Sequence, residues 1–318
     1  MDKIIKWGVL GFARIARLSV IPAILKAPNA EFYAIASRDT DKTLDCQKQF
    51  GCKMIYDSYE ALLDDPEIDA VYIPLPNKLH KEWTVKAACK GKHVLCEKPI
   101  SLNKQECEEM IEACNTNNVK FMEGFMYRFS NRTKKVKEIL DSNILGEVKY
   151  INSTFRFLLN RPGDVRLKPE LGGGSLYDVG CYPVNFVGMV TGCEPVSMSS
   201  ERIMKDGIDV GFSAVLKYEN GILASINSGF DTYKLSHSIV SGTKGSMHVP
   251  DTFSDEPGKI TVTTENDTNE YDIEPGNRYE AEIEDFSAAI INNREPGFSL
   301  QETLRNIGII ESLLESNK

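Results

Sequence analysis

Residues 4–16 read IIKWGVLGFARIA. Ile4–Leu10 is short and mostly apolar, the pattern of a strand buried on both faces. It leads straight into Gly11-x-Ala13-x-x-Ala16, where a helical pattern begins. Strand, glycine turn and helix in that order are the context in which a dinucleotide fingerprint carries weight. Gly11 permits the tight turn, and small residues at 13 and 16 let the backbone approach a pyrophosphate and the helix pack on the strand. Amides at the helix start then face the phosphates. Ala13 stands where the fingerprint usually has its middle glycine, adding one methyl group to that approach. The expected cofactor contacts of this turn are Gly11, Phe12, Ala13, Arg14 and Ile15; a purely structural turn is the alternative.

The alternation continues downstream. Glu31–Ser37, Ala70–Ile73, His93–Cys96 and Lys120–Glu123 read as strands, and Asp41–Phe50, His80–Lys90 and Lys104–Thr116 as helices. Gly51 and Gly91 stop the first two helices. Strands separated by helices imply parallel crossovers and a doubly wound sheet. Past Phe125 the texture changes. Val148–Leu158, Val196–Met204, Val210–Tyr218, Ile222–Ser228, Ile239–Ser241 and Ile260–Thr264 read as strands with few helices among them. Asn220-Gly221 between two of these runs is a hairpin signal. Two helical patterns, Tyr279–Asn292 and Leu300–Glu315, close the chain. The expected fold is α/β: an N-terminal Rossmann domain at 1–124 with a doubly wound parallel sheet, then a C-terminal α+β domain at 125–318. The second domain is expected to hold an open, mostly antiparallel sheet, to bind substrate and to carry oligomerisation. Its helices are too few to cover both sheet faces, so a homo-oligomer, a dimer or higher, is expected through the exposed face.

Composition narrows the function. The net charge is −9 over 318 residues, which argues against nucleic acid as a partner, since phosphate binding wants a basic face. No run of about 18 apolar residues predicts a membrane span. The charged N-terminus passes directly into the glycine turn and reads as a first strand, not a targeting segment; a cytoplasmic location is expected. Eight cysteines form no CxxC and four histidines no HxxxH, so no metal site is expected and the thiols are expected to be reduced.

Three further stretches carry chemistry. The second strand ends in Ser37-Arg38-Asp39, where an NAD site usually places an acid for the ribose 2′-hydroxyl. A hydroxyl and a guanidinium suit a 2′-phosphate instead, so NADP(H) is preferred, with NAD(H) still possible. A solvated Arg38 with Asp39 capping the next helix is the plain alternative. Pro74-Leu75-Pro76-Asn77 and His80 follow the strand Ala70–Ile73, on the ligand edge of such a sheet. Glu97-Lys98-Pro99 leaves the same edge after His93–Cys96, with Lys98 held extended by the proline. Finally, residues 172–185 read GGGSLYDVGCYPVN. The glycines loosen the approach, and Asp178 and Tyr182, four residues apart, share one face of the helical pattern that follows.

The ordered set of glycine turn, Glu97-Lys98-Pro99 and Asp178-x-x-x-Tyr182 resembles the Gfo/Idh/MocA family of sugar and diol oxidoreductases, from about Lys3 to Phe286. The resemblance implies that Pro74, Leu75 and Asn77, with His80, lie along the ribose and nicotinamide. It implies that Lys98 reaches the substrate and Glu97 supports the cofactor side, and that Asp178 and Tyr182 match an aspartate and a site acid. A phenol of pKa about 10 is a sluggish base at neutral pH, and a nearby ammonium favours its phenolate. Tyr182 is therefore expected to move the proton, Lys98 to polarise the reacting oxygen and Asp178 to hold a substrate hydroxyl. Weaker candidates for substrate contact are Arg128, in a stretch the family places at the domain junction; Arg161, Asp164 and Arg166, in a polar loop; and Tyr279, which opens the penultimate helix. The substrate class implied is a sugar, polyol or cyclic diol. None of the twelve tyrosines begins a YxxxK, which excludes a short-chain dehydrogenase. A non-catalytic NADP-sensing regulator on the same fold is the competing reading.

Overall fold

The computed structural model describes residues 3–316. Two compact units divide it. One runs to Met126 and takes Asn277–Thr303 as well; the other is Tyr127–Gly276 with the chain from Leu304.

The first unit is built on six parallel strands: β1 (Ile5–Leu10), β2 (Ala30–Ala36), β3 (Met54–Tyr56), β4 (Ala70–Ile73), β5 (His93–Glu97) and β6 (Phe121–Gly124). Their order is β3-β2-β1-β4-β5-β6, so the chain reverses direction of travel between β1 and β4, where open α/β sheets bind their ligands. All four residues of β4 are buried, as are all but one of β1; strands covered on both faces have no polar alternation. The crossover helices are α1 (Ile21–Lys26), α2 (Thr40–Phe50), α3 (Tyr59–Asp64), α4 (His80–Cys89) and α5 (Lys104–Thr116). Gly51, at φ 72°, ends α2 as the sequence predicts. β3 and α3 escape the sequence reading because both are short and β3 is a half-exposed edge.

In the second unit α6 (Asn131–Asp141) precedes the first strand, with Ser130 capping its N-terminus. The sheet comprises β7 (Val148–Arg156), β8 (Ser197–Lys205), β9 (Ile208–Lys217), β10 (Leu223–Gly229), β11 (Leu235–Gly242), β12 (Gly245–Pro250), β13 (Gly258–Thr264) and β14 (Thr268–Ile273), in the order β14-β13-β12-β11-β7-β10-β9-β8. Only the pair β7 and β10 is parallel. Tyr218 N–H donates to Ile222 O at 2.9 Å and Gly221 sits at φ 83°, closing the predicted Asn-Gly hairpin between β9 and β10. β12 and β14 are short and polar, which hides them from a pattern reading. α7 (Cys181–Thr191) packs against β7 and β10 on the apolar face.

The domain division expected at 125–318 needs correction at its far end. α8 (Arg278–Ile291) belongs to the first unit, and α9 (Leu300–Glu315) begins there. α8 buries Ile283, Phe286, Ala289 and Ile290. Phe286 meets the Trp7 ring at 5.7 Å, and Trp7 Nε1 donates to Ser287 Oγ at 3.2 Å. The side of β1 and β2 that α8 covers would otherwise face water, and a strand buried on both faces demands that cover. Among the described residues no helix is long and apolar enough to cross a membrane.

Candidate active site

The carboxyl edge of the six-stranded sheet gathers the predicted nucleotide residues. Gly11 leaves β1 at φ 103°, a conformation that L side chains rarely adopt. A β-carbon there would lie 3.3 Å from both Leu75 Cδ2 and the Tyr59 hydroxyl, so the space beside Gly11 stays open only because the side chain is missing. Phe12, Ala13 and Ile15 are half-buried around the turn, and Arg14 is exposed. The helix that follows contains a wide π-helical turn at Ala16–Val20. Pro22 has no N–H to give and crowds the carbonyl four residues back, and an i→i+5 turn relieves both. Ser37 is buried and accepts from the Asp39 amide at 3.2 Å; Arg38 is exposed. Asp39 caps α2, its side chain accepting from Lys42 N. A glycine cradle, helix-start amides, a buried hydroxyl and an exposed guanidinium are the donor set a phosphorylated dinucleotide needs.

Glu97-Lys98-Pro99 leaves the same edge, with Lys98–Pro99 cis. The Tyr72 hydroxyl donates to Glu97 Oε1 at 2.5 Å. Burial pushes the Tyr72 phenol well above its ordinary pKa, and the Glu97 charge adds to that. Two residues of α8 share this neighbourhood. Burial, with the Glu97 charge, also raises the Glu282 carboxyl well above the carboxylate range, and burial lifts Tyr279 to about 12. His80 is fully buried, with Nδ1 2.9 Å from Pro99 O and Nε2 2.8 Å from Leu75 O. It thus ties the Pro74–Asn77 loop to the lysine turn.

In the second unit the glycine run leads into a π-helical turn at Leu176–Gly180 and then α7. Pro183 repeats the logic of Pro22: its missing donor opens the turn behind it. Asp178 lies in that turn and Tyr182 in the first turn of α7. Asp209 holds the start of the run, accepting from Ser175 Oγ at 2.6 Å and Leu176 N at 2.8 Å. Arg166 Nε donates to Asp178 Oδ2 at 2.7 Å, and Arg166 also pairs with Asp164. The carboxylates hold the Arg166 guanidinium protonated, Asp178 most strongly. Tyr182 is 4% exposed, its ring packed among Phe155, Phe253 and Tyr127 at 5.4, 5.3 and 5.8 Å.

Residues 5–125 match a family profile described as an oxidoreductase family with an NAD-binding Rossmann fold, and residues 133–248 match a Gfo/Idh/MocA C-terminal domain. The chain belongs to the Gfo/Idh/MocA oxidoreductase family. A D-xylose 1-dehydrogenase (NADP(+)) 2 of Haloferax volcanii is 36% identical over 315 residues, 98% of this chain and 96% of that protein. A trans-1,2-dihydrobenzene-1,2-diol dehydrogenase of Xenopus tropicalis is 31% identical over 252 residues, 77% of this chain and 75% of the other. The crystal structure of a 3-ketoreductase from Actinomadura kijaniata in complex with NADP and TDP-benzene aligns with a TM-score of 0.92 at 26% identity, covering 99% of this chain and 98% of that one.

Within this Gfo/Idh/MocA oxidoreductase the weaker candidates separate. Asp164 and Arg166 join Asp178, and exposed Arg161 accepts the Asp164 amide at its carbonyl at 3.2 Å. Arg128 is 8% exposed and donates to Asn185 Oδ1 at 3.2 Å, and Tyr127 OH donates to the same oxygen at 2.5 Å. There Arg128 braces α7, one turn beyond Tyr182. Tyr279 joins Glu97 and Glu282 in the first unit. Among the described residues no group of three His, Cys, Asp or Glu side chains is arranged to hold a metal. Sequence reasoning missed Tyr59, Glu123, Asp209 and Glu282. Each is in contact with or senses a residue more than 20 positions away, so no local spacing announces it.

Proposed function

We propose that this chain is an NADP(H)-dependent oxidoreductase that moves a hydride between the nicotinamide and a hydroxyl or carbonyl carbon of a sugar, polyol or cyclic diol. One observation carries the reading: Gly11, Ser37-Arg38, the Pro74–Asn77 loop and Glu97-Lys98 all leave the carboxyl edge of one parallel sheet, around its switch point. A D-xylose 1-dehydrogenase (NADP(+)) and a dihydrodiol dehydrogenase among the relatives support the substrate class.

When bound, NADP(H) supplies or accepts the hydride. Ser37 and Arg38 take the 2′-phosphate, and the amides after Gly11 take the pyrophosphate. Lys98 polarises the substrate oxygen at which charge develops. Tyr182 gives or takes the proton at that oxygen, and its ring packing keeps bulk water from the phenol. Asp178 holds a neighbouring substrate hydroxyl, its carboxylate oriented by Arg166. The second unit's open sheet face carries Tyr150, Val215 and Leu223, 43%, 49% and 45% exposed, and this face joins two copies of the chain in a homo-oligomer. The chain works in the cytoplasm.

The test is a panel of aldoses, inositols and cyclic diols, read by NADPH absorbance with both cofactors, on wild type and Arg38→Ala. The reading requires turnover of a polyhydroxylated substrate with NADP over NAD. Arg38→Ala should lose about 1.5–3 kcal/mol in NADP affinity as a charged hydrogen bond disappears. Preference for NAD in the wild type, or no turnover across the panel, overturns it.

A further inference from the structure

Glu123, one residue before the end of β6, is 1% exposed. It is opposite Cys96 in the sheet, and Gly124 is opposite Glu97. From there its carboxylate reaches past the end of β5, and Oε1 accepts the Ile100 amide at 3.0 Å. Ile100 lies two residues beyond Lys98. On the other flank of the same turn, His80 Nδ1 stands 2.9 Å from Pro99 O. Half-buried Lys98 thus lies between Glu97, a strand residue in register, and two residues held by buried side chains.

We propose that Glu123, with His80, is a positioning residue that holds the Lys98 turn in its working place. The proposal rests on the reading of Lys98 as the group that polarises the substrate oxygen. Burying a carboxylate is costly unless it is hydrogen-bonded, and this one is committed to the Ile100 amide of the lysine turn. Burial lifts the Glu123 carboxyl to about 8, against the pull of the Thr303 hydroxyl, the Ile100 amide and Lys98, and with the Glu97 charge pushing the same way. Besides Glu97 and Lys98, the titratable groups that sense Glu123 are the Cys96 and Cys107 thiols, both raised by burial. Glu123 therefore changes charge close to physiological pH, and an ionised acceptor holds the Ile100 amide more tightly than a neutral one.

The experiment compares Glu123→Met and Glu123→Gln in the wild-type and Lys98→Ala backgrounds, with kcat, NADPH affinity by fluorescence and thermal unfolding. Glu123→Met keeps the volume and loses the acceptor; misplacing a reacting group by an ångström costs on the order of 10²-fold. The expected result is a kcat loss of about ten- to a hundredfold with NADPH affinity retained, and no further loss in the Lys98→Ala background. An equal loss in both backgrounds, or no loss, overturns the proposal. Glu123→Gln keeps an acceptor and should recover most of kcat, while the ratio of wild-type to Glu123→Gln kcat rises through about pH 8. Should Glu123→Met fail to fold, or Lys98→Ala leave no measurable rate, that ratio decides: a rise supports the proposal, a flat ratio overturns it. A Lys98→Ala enzyme with wild-type kcat sinks the reading of Lys98 itself.

Discussion

Tyr182 shows how a side chain gains a role from its surroundings. Three aromatic rings pack its own ring, and Asn185, one turn on in α7, is fixed by Tyr127 and Arg128. Replacing the phenol with Phe keeps every ring contact and removes one hydroxyl. Proton transfer by a placed group contributes about 10²–10⁴-fold, so Tyr182→Phe is expected to lose that much in kcat with NADPH affinity intact. Under the proposed roles Lys98→Ala should be at least as damaging, and the double substitution less than additive. Steady-state kcat at saturating substrate checks this; a Tyr182→Phe enzyme at wild-type kcat overturns the assignment. Glu123 supplies a second prediction, in stability. Its folded pKa of about 8 stands above its ordinary 4.5, so from about pH 4.5 to 8 the unfolded chain has lost a proton that the folded chain keeps. Stability from this group is complete below the unfolded value and is lost as pH rises through the window. Glu123→Gln should cancel that share. The difference in melting temperature, variant minus wild type, is expected to grow from pH 5 to pH 8; a constant difference would show that the carboxyl does not titrate there.

At the scale of elements, the helix after the glycine turn and the helix that carries Tyr182 both begin irregularly. Each has a π-helical turn ahead of a proline, Ala16–Val20 before Pro22 and Leu176–Gly180 before Pro183. In the second, a single buried carboxylate is the anchor. Asp209 accepts from Ser175 and Leu176, and a β-carbon at Gly174 would come within 2.4 Å of its Oδ1. Burial pushes the Asp209 carboxyl up, and those same hydrogen bonds pull it back down. Asp209→Ala should leave the buried Leu176 amide unpaired and Ser175 with only the Ser228 hydroxyl at 3.1 Å, at about 1–3 kcal/mol. Urea unfolding should show that loss, and kcat should fall while NADPH affinity holds, since the anchored segment carries Asp178 and Tyr182 but no nucleotide residue. An unchanged kcat in a folded Asp209→Ala protein would separate the anchor from the chemistry.

At the scale of the whole molecule, the open face of the eight-stranded sheet mixes apolar Tyr150, Val215 and Leu223 with a polar network. Asn152 donates to Ser225 at 2.7 Å, and Tyr150 and Ser225 share a hydrogen bond of 2.9 Å. Such a surface suits contact with a second copy better than permanent exposure. Light scattering at micromolar protein should give at least a dimer, and Val215→Glu with Leu223→Glu should shift it to monomer. A wild-type monomer sinks the idea.

Much of this was legible in the chain itself. Gly11 after an apolar run, Gly51 at a helix end and Asn220-Gly221 between strands are local demands on φ, and φ is set within a few residues. The change of period past Phe125 separates a parallel sheet from an antiparallel one for the same reason, because which face a residue presents follows from its immediate neighbours. Lys98, Asp178 and Tyr182 stood out through motifs that are also local. Long-range contacts were not legible. α8 returns to cover Trp7 because a sheet face there needed covering, Arg166 meets Asp178 across a loop, and Glu123 reaches Ile100 from the neighbouring strand. No spacing encodes these meetings. They exist only once burial has brought distant segments together, and burial rewards area removed from water without regard to separation along the chain.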